Sequence, residues 1–244
     1  MEYYDDLVTE IELVTEVDGG GTGNEVGHEQ PFGLFVNIQH TKAIERESGG
    51  FAKYLQNQNN GNYYNYGRPS ENYRDKFEDS ARGILEEHFE VQSVTFHSDK
   101  IKSRGMDKEG WRVTPYAYIL MKAKSPEADM VPVLKLDLDF LDTSGFAVLP
   151  IGSKPLAVDA KPAKPAGRNV SDVKITQTLD EREAKDGKLK LEINVSAHGL
   201  VPELEDLVDH NVGEDFEIVS VDDQGLSLSK LDAESEVNSV ISER

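Results

Sequence analysis

The fold is decided by the stretch YRDKFEDSARGILEEHFEVQSVTF, residues 73–96, in which the spacing of apolar residues changes once. In its first part the apolar residues recur at steps of three and four, the period of one helix face. They are Tyr73, Phe77, Ala81, Ile84, Leu85 and Phe89. From Glu90 to His97 the pattern changes to a period of two, which is typical of a strand. The stretch therefore predicts an amphipathic helix that leads into a strand.

Strand patterns continue downstream of this helix. Residues 111–124 are the longest strand candidate, and Pro115 within them indicates a sheet edge or a bulge, because proline cannot donate to a ladder. Residues 133–141 alternate between apolar and polar side chains. The turn signal at 142–145 joins them to the apolar residues 146–151, which predicts a hairpin.

The residues before the helix carry weaker signals of the same kinds. Residues 7–17 and 32–40 are predicted to be strands, and residues 43–55 are predicted to form helical turns interrupted by Gly49 and Gly50. A helix laid over an antiparallel sheet accounts for these patterns. We therefore expect residues 1–153 to form an α+β domain with an antiparallel sheet and one main helix.

A change in composition divides the chain. Residues 154–167 contain three prolines separated by alanine and lysine, which is typical of a semi-rigid extended linker. Residues 168–244 then read as almost all strand. The predicted strands are 173–179, 188–198, 216–221, 226–231 and 237–241, with one helical turn at 202–208.

Short strands separated by turn signals predict an immunoglobulin-like β-sandwich for residues 168–244. About five strands are predicted, whereas such sandwiches commonly have about seven. We therefore expect the sandwich to be truncated and the chain to be a segment of a larger multidomain protein. Because linked sandwiches are common outside the cell, we expect an extracytoplasmic location, either periplasmic or at the cell surface, and a cytoplasmic location stays open.

Composition excludes several classes of function. The net charge of −20 argues against nucleic acid as a partner, since binding to phosphates needs clustered Lys and Arg. No apolar run is long enough to insert this segment into a bilayer. The chain has no cysteine, which excludes disulfides, thiolate metal sites and a cysteine nucleophile. The six histidines show no metal-ligand pairing and are interpreted as structural.

An acidic cluster at the predicted hairpin is the candidate metal site. Asp137 and Asp139 share one face of a strand, and Asp142 follows at the turn. Calcium prefers several carboxylate oxygens, so these three residues could bind it. The other interpretation is a solvated strand face with favoured turn residues at its end, and it is the one we prefer.

An aromatic loop is the candidate binding surface. Residues 56–69 are rich in Asn, Gln, Gly and Tyr, and their candidate contact residues are Tyr63, Tyr64, Tyr66 and Arg68. Aromatic rings and amides together are typical of surfaces that bind protein or sugar. The alternative is that the tyrosines fold back onto their own domain.

The sequence predicts a non-enzymatic interaction or structural module that binds protein or carbohydrate through this loop and through exposed sheet edges. No catalytic residue or required cofactor is assigned. The alternative is a carbohydrate-binding domain or hydrolase with a dispersed site in the first domain. Its candidate residues are Asp137, Asp139, Tyr116 and Tyr118, the two tyrosines sharing one predicted strand face.

Overall fold

The computed structural model describes residues 6–19, 24–57, 72–96, 101–142, 145–165, 170–207, 213, 215–232 and 239–244. These residues form mainly antiparallel β-sheets with few helices, so the prediction of a β-rich antiparallel fold is confirmed. The chain divides into two compact units, which we call unit 1 (residues 1–167 and 233–238) and unit 2 (residues 168–232 and 239–244).

Among its described residues, unit 1 contains nine strands, three helices with defined bounds and the helical residues 6–8. The strands are β1 Ile11–Val17, β2 Phe32–Thr41, β3 Phe89–Phe96, β4 Arg104–Gly105, β5 Trp111–Ala123, β6 Met130–Val131, β7 Lys135–Asp142, β8 Gly145–Gly152 and β9 Leu156–Ala157. The helices are α1 Lys42–Glu47, α2 Phe51–Asn57 and α3 Tyr73–Leu85. The main sheet has the order β1-β2-β5-β3, with β4 paired to β5, and β7 and β8 form the predicted hairpin.

Helix α3 begins where a side chain caps it. The Asn72 side chain accepts hydrogen bonds from the backbone N–H groups of Arg74 at 3.1 Å and Asp75 at 3.3 Å. The predicted apolar face is buried at Phe77, Ala81 and Leu85, and the helix packs against β3 and β7.

Helix α3 ends at Leu85, although the apolar spacing continues to Phe89. Phe89 is instead the first residue of β3, where it pairs with Ala123. Its side chain is fully buried, with its ring centroid 5.9 Å from that of Phe32. A strand buries this ring as completely as another helical turn would, so spacing alone could not place the helix end.

Pro115 lies at a bulge in the centre of the sheet, which is one of the two predicted alternatives. Asn37 pairs with Pro115 and Val36 pairs with Ala117, so Tyr116 is the extra residue on β5. The bulge interrupts the β2–β5 ladder where proline has no N–H to offer. It also changes the side to which the following side chains point.

Much of the segment predicted to be a linker packs within unit 1. The backbone N–H of Val26 donates to Asp159 O at 2.9 Å, and that of Glu29 donates to Ala163 O at 2.9 Å. Val158 and Ala160 are buried in the core. Residues 156–163 are therefore bound to unit 1 rather than extended in solvent, while the predicted boundaries at 153, 167 and 168 stay a prediction.

Unit 2 contains one four-stranded antiparallel sheet among its described residues, in the order β10-β11-β13-β12. Its elements are β10 Ser171–Asp180, a 3-10 helix Ala184–Asp186, β11 Lys190–His198, α4 Leu204–Leu207, β12 Ser227–Asp232 and β13 Ser239–Glu243. Its buried core is centred on Val195, Ala197 and Val201. The prediction of a strand at 216–221 is wrong, because these residues pair with no described strand.

Candidate functional site

The residues of the predicted aromatic loop, Tyr63, Tyr64, Tyr66 and Arg68, lie outside the described residues. Their role as a binding surface stays a prediction.

The predicted acidic cluster lies on the hairpin of β7 and β8, and two of its carboxylates contact helices. Asp137 Oδ2 lies 2.8 Å from Lys76 Nζ of α3. Asp139 Oδ1 accepts a hydrogen bond of 2.8 Å from the Tyr54 hydroxyl, whose oxygen in turn lies 2.8 Å from the Asp139 backbone N–H. These contacts attach α2 and α3 to β7.

The third predicted ligand, Asp142, pairs with Gly145 at the end of the hairpin. Its side chain is not among the parts that the structure describes. Within the described ranges, no group of three or more His, Cys, Asp or Glu side chains is arranged to hold a metal ion. Calcium binding at Asp137, Asp139 and Asp142 stays a prediction.

The bulge separates the two tyrosines of the alternative site. Tyr116 packs in the main core, with its ring centroid 5.2 Å from that of Phe77 and 5.5 Å from that of Phe96. Tyr118 instead packs against Phe35, at 4.9 Å between centroids, and donates a hydrogen bond of 2.6 Å to Asp18 Oδ2. The expectation that Tyr116 and Tyr118 share one strand face is therefore wrong, because the extra residue changes the alternation.

Burial dominates the chemistry of Tyr116. It raises the pKa of the phenol well above its usual range, and the nearby positive charge of Arg74 opposes that rise only in part. Among the described residues, the Tyr116 hydroxyl has no hydrogen-bond partner. A neutral phenol held in an aromatic cluster is suited to packing rather than to proton transfer.

No sequence signal predicted the buried polar network around His40. His40 Nε2 lies 2.8 Å from Thr114 Oγ1, which lies 2.7 Å from Ser103 Oγ. On the other side of the ring, His40 Nδ1 lies 3.2 Å from the Thr41 carbonyl oxygen and 3.7 Å from Glu45 Oε2. The network therefore joins β2, β5 and α1.

This network resembles a catalytic relay only in the order of its groups. His40 and Thr114 have no exposed surface, so a substrate could not reach the hydroxyl that the imidazole contacts. Desolvation lowers the pKa of His40, against the opposing effects of the Thr41 hydrogen bond and the Glu45 charge. A neutral, hydrogen-bonded imidazole satisfies buried polar groups, and its role here is structural.

Exposed apolar side chains are concentrated in unit 2. We call Ile175 and Leu179 of β10 together with Leu191 of β11 the hairpin surface. Their side chains are 50%, 52% and 50% exposed. Leu179 pairs with Leu191, and Ile175 pairs with the buried Val195, so all three lie on the face that carries the small core of unit 2.

Residues after α4 add further exposed apolar groups to unit 2. Phe216, Ile218, Val219 and Val221 are all exposed, Phe216 by 60%. Contiguous exposed apolar groups are typical of interaction surfaces in folded proteins. Among the described residues, the hairpin surface is thus the strongest candidate for contact with another molecule.

No helix among the described residues is both long enough and apolar enough to cross a membrane. No family model matches this chain, and no curated protein or solved structure has significant similarity to it.

Proposed function

We propose that this chain is a non-enzymatic interaction or structural module that binds a protein partner through the sheet of unit 2. The observation that carries the proposal is the hairpin surface, where three apolar side chains are about half exposed on a regular antiparallel ladder. A strand ladder offers backbone hydrogen bonds at its edge and side-chain contacts on its face. Both are means of recognising another polypeptide.

We also propose that residues 168–244 form an immunoglobulin-like sandwich. This fold is supported by the short antiparallel strands of unit 2. We further propose that this module acts in a larger extracytoplasmic protein. Determining the sequence of the full-length gene product tests the proposed location and the proposed larger protein. A product without a signal, an anchor or further domains would contradict both.

Site-specific photo-cross-linking in cells that make the protein tests the proposed binding surface. A photoreactive phenylalanine analogue replaces Ile175, and in a matched control it replaces Glu205, which is an exposed residue of α4 in the same unit. We expect a discrete cross-linked band from position 175 that position 205 does not give. Equal labelling from both positions, or none from either, would contradict the proposal.

A further inference from the structure

Strand β10 is an open edge of the sheet in unit 2. It stands at the end of the order β10-β11-β13-β12, and within the described part of the chain it pairs with β11 alone. It is ten residues long, and each residue before Asp180 is exposed. The opposite edge, β12, has six residues. The longer edge leaves the longer row of backbone groups available for pairing.

The sequence of β10 lacks most features that block pairing at an edge. Residues 171–180 contain no proline, and Lys174 is their only basic residue. The register irregularity of β10 lies between Ser171 and Lys174, so the strand is regular from Lys174 to Asp180. Val, Ile and Thr are frequent in it, which favours an extended backbone.

A second copy of β10 complements this edge in one antiparallel register. When Gln177 lies opposite Gln177 of the other copy, Lys174 faces Asp180 and Ile175 faces Leu179. Thr176 then faces Thr178. Opposite charges, apolar pairs and threonine pairs directly across a ladder are each stabilising. Every cross-strand pair from 174 to 180 is thus compatible.

The neighbouring registers lose the complementary pairs. Residues directly opposite each other in an antiparallel sheet share a face. An alternative register must therefore still place residues of the same face opposite each other. Within the regular part of β10, one such shift places Lys174 opposite Thr178 and Ile175 opposite Gln177, and the shift in the other direction places Thr176 opposite Asp180 and Gln177 opposite Leu179. Both shifts lose the opposite-charge pair and the apolar pair, so the register centred on Gln177 is favoured.

The carboxylate of Asp180 is ionised and pairs with Arg182 of its own chain. Arg182 Nε donates to Asp180 Oδ1 at 2.9 Å and to Oδ2 at 2.8 Å, and these hydrogen bonds lower the pKa of Asp180 to about 2. The Lys174 ammonium of a second copy would add to this pair. Asp180 therefore stays negatively charged throughout the physiological pH range.

We propose that two copies of this chain associate through antiparallel pairing of β10 with β10, centred on Gln177, to form one continuous eight-stranded sheet. The inference rests on the proposed function and names the partner as a second copy. A two-fold contact of this kind uses the same surface on both copies and closes on itself. The product is a dimer and not a filament.

Sedimentation of the purified full chain tests the association. We expect a species of twice the chain mass of 27.1 kDa that dissociates on dilution. In Lys174→Asp, two like-charge contacts replace two opposite-charge contacts, and the dissociation constant should rise roughly tenfold or more. The same loss is expected for Asp180→Lys, and the double variant Lys174→Asp/Asp180→Lys should restore the dimer.

Lys230→Asp is the matched control, because it makes the same charge change at an exposed position of the opposite edge strand β12. It should leave the dimer intact. Far-UV circular dichroism of each variant establishes that the fold is retained, which is expected because Lys174 and Lys230 are exposed and Asp180 is only partly buried.

Four results would overturn the proposal: a chain that stays monomeric at its solubility limit, a dimer insensitive to Lys174→Asp, a dimer broken by Lys230→Asp, or open-ended assemblies. The proposed function fails separately. If the purified chain is monomeric while position 175 cross-links to a different protein in cells, self-pairing is wrong and the interaction surface stands. If position 175 gives no specific band, the proposed function fails as well.

Discussion

The main sheet of unit 1 and the sheet of unit 2 follow similar sequence patterns but differ in burial. In unit 1 the side chains of β2 are buried along almost the whole strand. In unit 2 β10 is exposed along almost its whole length. Both strands are rich in apolar and β-branched residues. Within a regular strand, alternation thus shows which residues share a face, whereas coverage by another layer decides whether that face is buried.

The difference in burial between the two sheets follows from what packs against each of them. Unit 1 places α3 against β3 and β7, and its core includes fully buried rings such as Phe32, Phe51 and Phe77. The core cluster of unit 2 centres on Val195, Ala197 and Val201, and contains no aromatic side chain among the described residues. Unit 1 is therefore stabilised by an interior of its own, and unit 2 has apolar surface left for contacts.

The largest expected effect tests this contrast with one substitution in each unit. Phe77→Ala removes a buried ring that contacts the rings of Phe96 and Tyr116, and should lower the free energy of unfolding by about 3–5 kcal/mol. Phe216→Ala removes an exposed ring and should change it by less than about 0.5 kcal/mol. Urea unfolding followed by circular dichroism and by the fluorescence of Trp111 measures both. Equal losses would show that the two units are packed alike.

The close approach of the Tyr118 ring to Gly33 in unit 1 gives the next largest expected change in stability. A β-carbon added at Gly33 would lie 1.6 Å from the Tyr118 hydroxyl oxygen and 2.1 Å from Cζ of that ring. The ring cannot move away freely, because it packs on Phe35 and its hydroxyl binds Asp18. Gly33→Ala should therefore lower the free energy of unfolding by about 1–3 kcal/mol.

Gly152→Ala is the matched control for Gly33→Ala, since it lies in another strand of unit 1 and its nearest neighbour would be Val133 Cγ1 at 3.5 Å. It should change stability by less than about 0.5 kcal/mol. Comparable losses at both glycines, measured by the same urea titration, would rule out the Tyr118 contact as the cause.

The buried network of His40 predicts a pH dependence confined to unit 1. Burial lowers the folded-state pKa of His40, so the unfolded chain binds the proton first as the pH falls. The stabilising contribution is complete above about pH 6.5 and is lost below it, by at most about 1.4 kcal/mol per pH unit. Unfolding titrations at pH 7.5 and pH 5.5, followed by Trp111 fluorescence, should show this loss. His40→Asn should reduce it, and an unchanged pH dependence in that variant would assign the effect to other groups.

The smallest expected effect is a gain in stability. Gly83 lies inside α3, and a β-carbon added there would meet no atom within 4 Å. Gly83→Ala should raise the free energy of unfolding by about 0.5–1 kcal/mol, because alanine loses less backbone entropy on entering a helix. The gain should appear in the Trp111 signal of unit 1. A loss of stability there would mean that α3 packs more tightly around Gly83 than its geometry indicates.

Sequence patterns located most of the regular structure, and they failed in identifiable ways. The predicted strand at 111–124 and the hairpin of 133–151 correspond to β5, β7 and β8. Residues 216–221 have a strand pattern without a described strand partner, because a local pattern does not supply the neighbour that a strand needs. His40 was given a structural role, but its partners Thr114 and Ser103 are too distant in the chain to be inferred from spacing.

The sequence by itself determined the β-rich antiparallel class, the buried face of α3 and the hairpin, because these depend on local periodicity and turn residues. Only the tertiary structure decided that Tyr116 and Tyr118 point to different sides of the sheet and that residues 156–163 pack within unit 1. It also decided that the apolar residues of β10 remain exposed. These outcomes depend on contacts between residues far apart in the chain, and no short stretch of sequence encodes which distant surface will cover it.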